Sequence, residues 1–396
     1  MRVCMFTECY LPTVNGVVVS VSTFATQLQR LGVDVHIVAP RYPRYTDQQR
    51  GIFRLPSITP PQRRDYPLMI PPCRPAVSRL CGGVPDLVHV HSPFIAGRLG
   101  RRVARKVACP LVFTFHTLYE KYVHYIPLPR PIAACLAKRI SRAFAQNCSA
   151  VVAPSEGIRQ MLQGDGVTTR IEVIPTGLDL SMMAPERLLP IRDRWDIPPA
   201  APLLAYVGRV AREKSVDLLL QAFARVMAQI HECILLVVGE GNWDSQARAL
   251  AEELAIAGSV RFAGSLPRDE AVRCAADADA LLFPSITDTQ GLVVLEAMAS
   301  GTPCVAARSG AVAGLIEDGV NGVIAAHDAA AFAEAVVSLL RDRQRRTRMG
   351  EAARRTAQGY SAQAMAERLL SLYRSLAAEP SESGAQGNGD PVPTKV

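Results

Sequence analysis

Short apolar runs rich in Val, Ile and Phe, each followed by a longer stretch of helical period, recur along this chain in two series. The first reads RVCMFT, VDVHIVAP, DLVHVHS, PLVFTFH, SAVVAPS and RIEVIP. After Pro175 it restarts as LLAYVGR, CILLVVGE, VRFAG, ALLFPS, TPCVAAR and NGVIAA. A strand that is apolar on both faces must be covered on both, and helices that alternate with strands do this while returning the chain for parallel pairing. The pattern predicts an α/β fold with two parallel sheets, each flanked by helices. At 396 residues the chain is too long for one core, given roughly 100 to 200 residues per domain. Two domains with a cleft between them are expected.

The segment PTGLDLSMMAPERLLPIRDRWDIPPAAP separates the two series; it is dense in Pro and lacks a sustained period. The first domain is therefore placed at 1–177 and the second at 178–360. Residues 361–378, SAQAMAERLLSLYRSLAA, have helical spacing and are expected to pack back on the N-terminal domain. The polar, Pro/Gly-rich end, 379–396, reads as a disordered tail.

Composition narrows the function classes. Hydrophobic residues at 49% and charged residues at 20% suit full-sized cores and exclude a disordered chain. The ten cysteines form no C-x-x-C pair and no cluster with His, so neither a zinc site nor a thioredoxin-type motif is indicated. They read as buried thiols of a reducing, cytoplasmic compartment. No run of about 18 apolar residues occurs, so no transmembrane helix is expected. The net charge of +8 is uneven: residues 1–178 hold 22 Lys and Arg against 9 Asp and Glu, and residues 179–396 hold 22 against 27. A basic first half attracts phosphate-rich surfaces, anionic lipid or nucleic acid. The absence of aromatics interleaved with that charge on a recognisable module argues against nucleic acid.

Ligands of open parallel sheets sit at the carboxyl ends of strands, where helix N-termini offer free N–H groups. Four stretches carry unusual chemistry there. In TECYLPTVNGVVVSV, Gly16 opens a helix and would let another group approach the backbone closely; the stretch is not the G-x-G-x-x-G of dehydrogenases. In PLVFTFHTLYEKYVHY, His116 ends a strand, where a structural role and a chemical one are both open. In YVGRVAREKSVDLLL, Gly208 and Arg209 end a strand and Lys214 precedes a helix, two cations suited to a diphosphate. In FPSITDTQGLVVLEAMASGTPCVA, a polar loop carries Asp288, Gly291 starts a helix, and Glu296 lies one to two turns in; two carboxylates eight residues apart can reach different hydroxyls of one ligand.

These stretches, with IPTGLD at 174–179 and VGEG at 238–241, make the sequence resemble glycosyltransferase family 4, retaining enzymes of the GT-B fold, over nearly its whole length. The resemblance implies two facing Rossmann-like domains with a central cleft. It implies that Arg209 and Lys214 bind a donor diphosphate, Glu296 the ribose hydroxyls and Asp288 hydroxyls of the transferred sugar. Amides of Gln290, Gly291 and Leu292 would support sugar and phosphate, Gly208 would line the donor site, Gly16 would lie near the diphosphate, and His116 would meet the sugar near the reacting carbon. The family usually has Glu where this chain has Asp288, which shortens the reach to the sugar. Transfer with retention in this fold implies no metal and no cofactor, because fixed cations and helix N-termini offset the charge of the leaving diphosphate. The leaving phosphate itself helps take the acceptor proton, so no protein nucleophile is named.

HTLYEKYVHYIPLP and TDTQGLVVLEA further resemble bacterial enzymes that put glucose on diacylglycerol. That implies UDP-glucose as donor, a lipid acceptor, and peripheral attachment to the inner face of the cell membrane. RPIAACLAKRISRAFAQ places Ile132, Leu136, Ile140 and Phe144 at i, i+4 spacing with Arg130, Lys138, Arg139 and Arg142 elsewhere, a helix suited either to a lipid interface or to covering the sheet. The alternatives are transfer to a polysaccharide or soluble acceptor, and a sugar-nucleotide epimerase of the same fold.

Overall fold

The computed structural model of the chain describes residues 1–59, 67–73, 76–121, 129–180 and 191–379. The tail from 380, and 122–128 of the HTLYEKYVHYIPLP loop, lie outside the described residues.

The first series of apolar runs forms strands β1 (Arg2–Phe6), β2 (Asp34–Pro40), β6 (Leu87–Val90), β7 (Leu111–Thr114), β8 (Ala150–Ala153) and β9 (Ile171–Val173), and three short strands outside it are β3 (Ile52–Leu55), β4 (Ser57–Ile58) and β5 (Leu68–Met69). A seven-stranded sheet runs β3-β2-β1-β6-β7-β8-β9, and β4 pairs with β5 in a separate antiparallel ribbon. All four residues from Val3 to Phe6 are fully buried, as expected of a central strand covered on both faces. Its register sets Phe6 beside Val38 on one side and Val90 on the other, so the carboxyl ends of β1, β2 and β6 lie at one edge.

The second series gives β10 (Leu203–Val207), β11 (Ile234–Val238), β12 (Val260–Gly264), β13 (Ala280–Phe283), β14 (Cys304–Ala307) and β15 (Val323–Ala325), ordered β12-β11-β10-β13-β14-β15. Alternate residues of β10 enter different cores. Leu204 and Tyr206 pack with Phe223, Val226 and Phe332, whereas Leu203 and Ala205 pack with Leu236, Leu281 and Leu295. At roughly 1.5 to 3 kcal/mol for each fully buried large apolar side chain, these two cores hold the helices in place on either face.

The residues group into two compact units: Met1–Thr114 with Phe144–Val151 and Glu367–Val396, and Phe115–Ala143 with Val152–Ala366. The C-terminal helix is Ala362–Ala378. Within the first unit, the Tyr373 hydroxyl lies 2.6 Å from His89 Nδ1, and His89 Nε2 lies 2.7 Å from Thr114 Oγ1. All three residues are buried.

Cysteine usage departs from ten buried thiols. Cys4 of β1 and Cys81, the last residue of helix Val77–Cys81, form a disulfide with Cα atoms 5.4 Å apart, inside the range a disulfide spans. Cys73 and Cys135 are exposed. A separation of 77 residues offers no local signal of the pairing.

Candidate active site

In the six-stranded sheet, β10 lies between β11 and β13 and the strand order reverses there. That reversal is the topological switch point, where the loops leaving the carboxyl ends diverge and open a crevice. Gly208, Arg209 and Lys214 follow β10. Asp288, Gln290, Gly291, Leu292 and Glu296 follow β13. Two sequence stretches about 80 residues apart thus meet, and Lys214 Nζ lies 2.5 Å from Asp288 Oδ1.

The turn after β10 is shaped from beneath by VGEG. Gly208 N–H donates to the Val238 carbonyl at 2.9 Å and Val210 N–H to the Glu240 carbonyl at 3.1 Å. A Cβ on Gly239, whose φ is +127°, would lie 2.0 Å from the Gly208 carbonyl oxygen, so only glycine permits this approach. Beyond it a single 3₁₀ turn, Arg212–Lys214, leads into helix Val216–Met227. The hinge between them is Ser215 in the left-handed region at φ 57°, with its hydroxyl 2.9 Å from His327 Nε2.

Three ion pairs line the site. Arg209 pairs with Glu213 at 3.0 Å, Lys214 with Asp288, and Arg268 with Glu296 at 2.7 Å. Thr287 Oγ1 donates to the Glu213 carbonyl at 2.8 Å, lacing the two loops together. Burial raises the pKa of Glu296, and the Arg268 guanidinium opposes the shift by its charge and its hydrogen bonds. Sequence reading missed Glu213, although it lies four residues after Arg209, and Arg268, since no spacing rule ties an arginine to a glutamate 28 residues on.

The loop after β13 also gathers the ends of three other strands. Thr289 Oγ1 donates to the His116 carbonyl, beyond β7, at 2.7 Å. Ser155 Oγ, beyond β8, donates to the Thr289 carbonyl at 2.7 Å. The Gln290 amide brackets the Thr176 backbone beyond β9, accepting from its N–H and donating to its C=O, each at 2.9 Å. The Gln290 side chain is therefore a clamp, leaving the ligand-facing role to the loop backbone. Gly291 is the N-cap of helix Leu292–Ser300, whose first amides lack intrahelical partners. Burial alone holds the His116 pKa down at about 3, so its ring is neutral near pH 7. Gly177 of IPTGLD serves packing: a Cβ there would lie 2.5 Å from Ala362 Cα.

Gly16 belongs to the first unit, where it is exposed as the first residue of helix Gly16–Arg30. Asn15 caps that helix, its Oδ1 accepting from Val18 N–H at 2.9 Å. Nearby in sequence, Glu8 is buried and accepts from Ser92 Oγ at 2.9 Å and from Ala96 N–H at 2.8 Å, at the start of helix Ile95–Val107. Burial raises its pKa.

The basic helix is Arg130–Ala145. Ala133, Ala137, Ser141, Phe144 and Ala145 are buried, whereas Ile132 and Leu136 are 60% and 47% exposed. The i, i+4 row of larger apolar residues is therefore split between the two faces. Lys138 pairs with Asp165 at 2.6 Å. Among the described residues, no helix is long and apolar enough to cross a membrane.

Two parallel sheets, the second in the 3-2-1-4-5-6 order of Rossmann folds with paired cations and carboxylates at its switch point, define a glycosyltransferase of the GT-B class. The chain belongs to glycosyltransferase family 4. Its residues 14–182 match the Glycosyltransferase Family 4 model and residues 190–356 that of Glycosyl transferases group 1. It is 32% identical to an alpha-monoglucosyldiacylglycerol synthase of Streptococcus pneumoniae over 85% of this chain and 79% of that protein. It is 30% identical to a D-inositol 3-phosphate glycosyltransferase of Nocardia farcinica over 91% and 84%. Among solved structures, sucrose-phosphate synthase from Thermosynechococcus elongatus aligns with a TM-score of 0.76 at 21% identity, covering 96% of this chain and all of that one. HepE of Anabaena in complex with UDP-glucose aligns with a TM-score of 0.75 at 18% identity, covering 95% and 100%.

Proposed function

We propose that this glycosyltransferase moves a hexose with retention from UDP-glucose to a membrane lipid such as diacylglycerol, without metal or cofactor, while attached peripherally to the cytoplasmic face of the membrane. The observation that carries the donor half is the placement of Arg209 and Lys214 after β10 and of Asp288 and Glu296 after β13 at one switch point, with Lys214 paired directly to Asp288. A nucleoside diphosphate sugar presents a charged diphosphate between two sets of hydroxyls, and this order of cations and carboxylates is complementary to it. Arg209 and Lys214 face the charge that grows on the leaving diphosphate, in the way preorganised donors stabilise a transition state. Asp288, held by Lys214, would accept from hydroxyls of the sugar. Neutral His116, positioned through its backbone by Thr289, would accept or donate a hydrogen bond at the sugar without adding charge.

The acceptor half rests on the likeness to alpha-monoglucosyldiacylglycerol synthases, on the basic first half of the sequence, and on the exposure of Ile132 and Leu136 beside Arg130 and Arg139. Apolar side chains flanked by arginines are what a helix at an anionic lipid surface presents. A soluble, anionic acceptor is the second reading, supported by the likeness to D-inositol 3-phosphate glycosyltransferases.

The test is product analysis with UDP-glucose, UDP-galactose and GDP-mannose, each offered diacylglycerol in anionic vesicles or inositol phosphate in solution. Glucosyl-diacylglycerol with the α configuration is the expected product. Transfer only to the soluble acceptor would replace the lipid reading, and epimerisation of donor alone would replace transfer.

A further inference from the structure

We infer that Arg268 is a positioning residue for nucleotide recognition, fixing Glu296 so that one carboxylate oxygen is left open to the two ribose hydroxyls. The inference rests on the reading above that Glu296 meets the ribose. Arg268 is the first residue of helix Arg268–Ala276, after β12, and Glu296 sits within helix Leu292–Ser300. The guanidinium does not grip the carboxylate fork to fork. Its Nε, at 3.1 Å, and its Nη2, at 2.7 Å, both donate to the same oxygen, Oε1.

That geometry has a chemical consequence. A carboxylate offers about two acceptor sites on each oxygen, and the two guanidinium bonds fill those of Oε1. No hydrogen bond from the described residues reaches Oε2, and Oε2 is not among the buried atoms lacking a partner, so it meets solvent. An oxygen with two acceptor sites, fixed in direction, matches a vicinal diol. The Glu296 side chain is only 12% exposed and that of Arg268 31%, so the pair is sheltered enough to hold this orientation. The arginine also offsets the burial that pushes Glu296 towards its protonated form, and a protonated carboxyl would be a poorer acceptor for two hydroxyls.

The experiment measures the affinity of the full-length protein for UDP and for 2′,3′-dideoxy-UDP by calorimetry, in wild type, Arg268→Met, Arg268→Lys, Glu296→Gln and the double variant Arg268→Met/Glu296→Gln. Donor KM and kcat are measured alongside. Arg268→Met is expected to weaken UDP at least tenfold, raise KM and leave kcat at saturating donor within about twofold. Arg268→Lys should restore part of the loss. The dideoxy nucleotide should bind wild type and Arg268→Met alike, and the double variant should be no weaker than Glu296→Gln alone. A loss of equal size for both nucleotides would mean that Arg268 only anchors its helix, and would overturn the inference. So would weakened UDP binding in Glu296→Gln with unchanged binding in Arg268→Met. Unchanged binding in Glu296→Gln would instead overturn the ribose role itself. Arg268→Gln, which keeps one donor, serves the same comparison should the methionine variant fold poorly.

Discussion

Thr289 donates its hydroxyl to the backbone carbonyl of His116, 173 residues away in sequence, at 2.7 Å. The bond ties the loop that bears Asp288 to the strand end that bears the neutral imidazole. Replacing Thr289 by Val preserves shape and removes the donor, which leaves a carbonyl without it at a cost of about 1 to 3 kcal/mol. Thr289→Val is therefore expected to lower both thermal stability and transfer, and Thr289→Ser to keep both. Wild-type turnover in Thr289→Val would show that the tether does not position His116.

Arg209 and Lys214 should each affect both turnover and stability. Each variant to Ala is expected to lose about 2.7 to 4 kcal/mol of transition-state stabilisation, roughly a hundred- to a thousandfold in kcat. Arg209 is about half exposed but its partner Glu213 is buried, so its loss strands a carboxylate and should lower the melting temperature. Lys214 is mostly buried against Asp288, so its loss strands a carboxylate and should lower the melting temperature as well. Near-normal kinetics in both would remove the diphosphate site.

His116 gives a pH signature. Its folded pKa is held at about 3 against an ordinary 6.5. Between those values the unfolded chain binds the proton and the native one does not, so this contribution to stability falls as pH falls from about 6.5 towards 3, by up to about 1.4 kcal/mol per pH unit. Glu8 and Glu296, with raised pKa values, act in the opposite sense. Comparison with His116→Gln by urea denaturation from pH 7 to pH 4.5 cancels those terms. The variant should show the smaller acid loss, and equal slopes would mean the ring is not buried in neutral form.

Vesicle binding should follow the exposed face of helix Arg130–Ala145. Wild type is expected to co-sediment with anionic vesicles and to release at high salt, each arginine near the surface contributing about 1 kcal/mol. Ile132→Ser with Leu136→Ser, and separately Arg130→Glu with Arg139→Glu, should each reduce binding. Lys138 is kept, because its pairing with Asp165 serves the fold. Indifference of wild type to lipid charge would favour the soluble acceptor.

Much of the fold was legible in the sequence. The twelve apolar runs became strands because a parallel sheet buried on both faces demands unbroken Val, Ile and Leu, as in β11, where all five residues are buried. What escaped was β3 with the β4–β5 ribbon. Their strands are two to four residues long, Arg54 interrupts one and Pro56 follows it, so neither length nor alternation marks them. The family resemblance marked Arg209, Lys214, Asp288 and Glu296, and the switch point brings them together. Glu213 stands four residues after Arg209, a local spacing the reading passed over, whereas Arg268 and the Ser155, Thr176 and Thr289 contacts went unread because they depend on the order in which the fold brings distant loops together. That order is set by tertiary pairing, which no local spacing records.

The bond between His89 and Tyr373 bears on how the chain is made. His89 leaves the ribosome early, buried in a unit whose last segment begins at Glu367. Protein synthesis proceeds at about 5 to 20 residues per second, and domains usually fold in the order they emerge. Here the first sheet waits for nearly the whole chain before its buried histidine finds its phenol, while everything the second unit needs has already been translated. The unit begun first is thus the one completed last, and a nascent chain stalled before Tyr373 would hold a finished second unit and an unfinished first one.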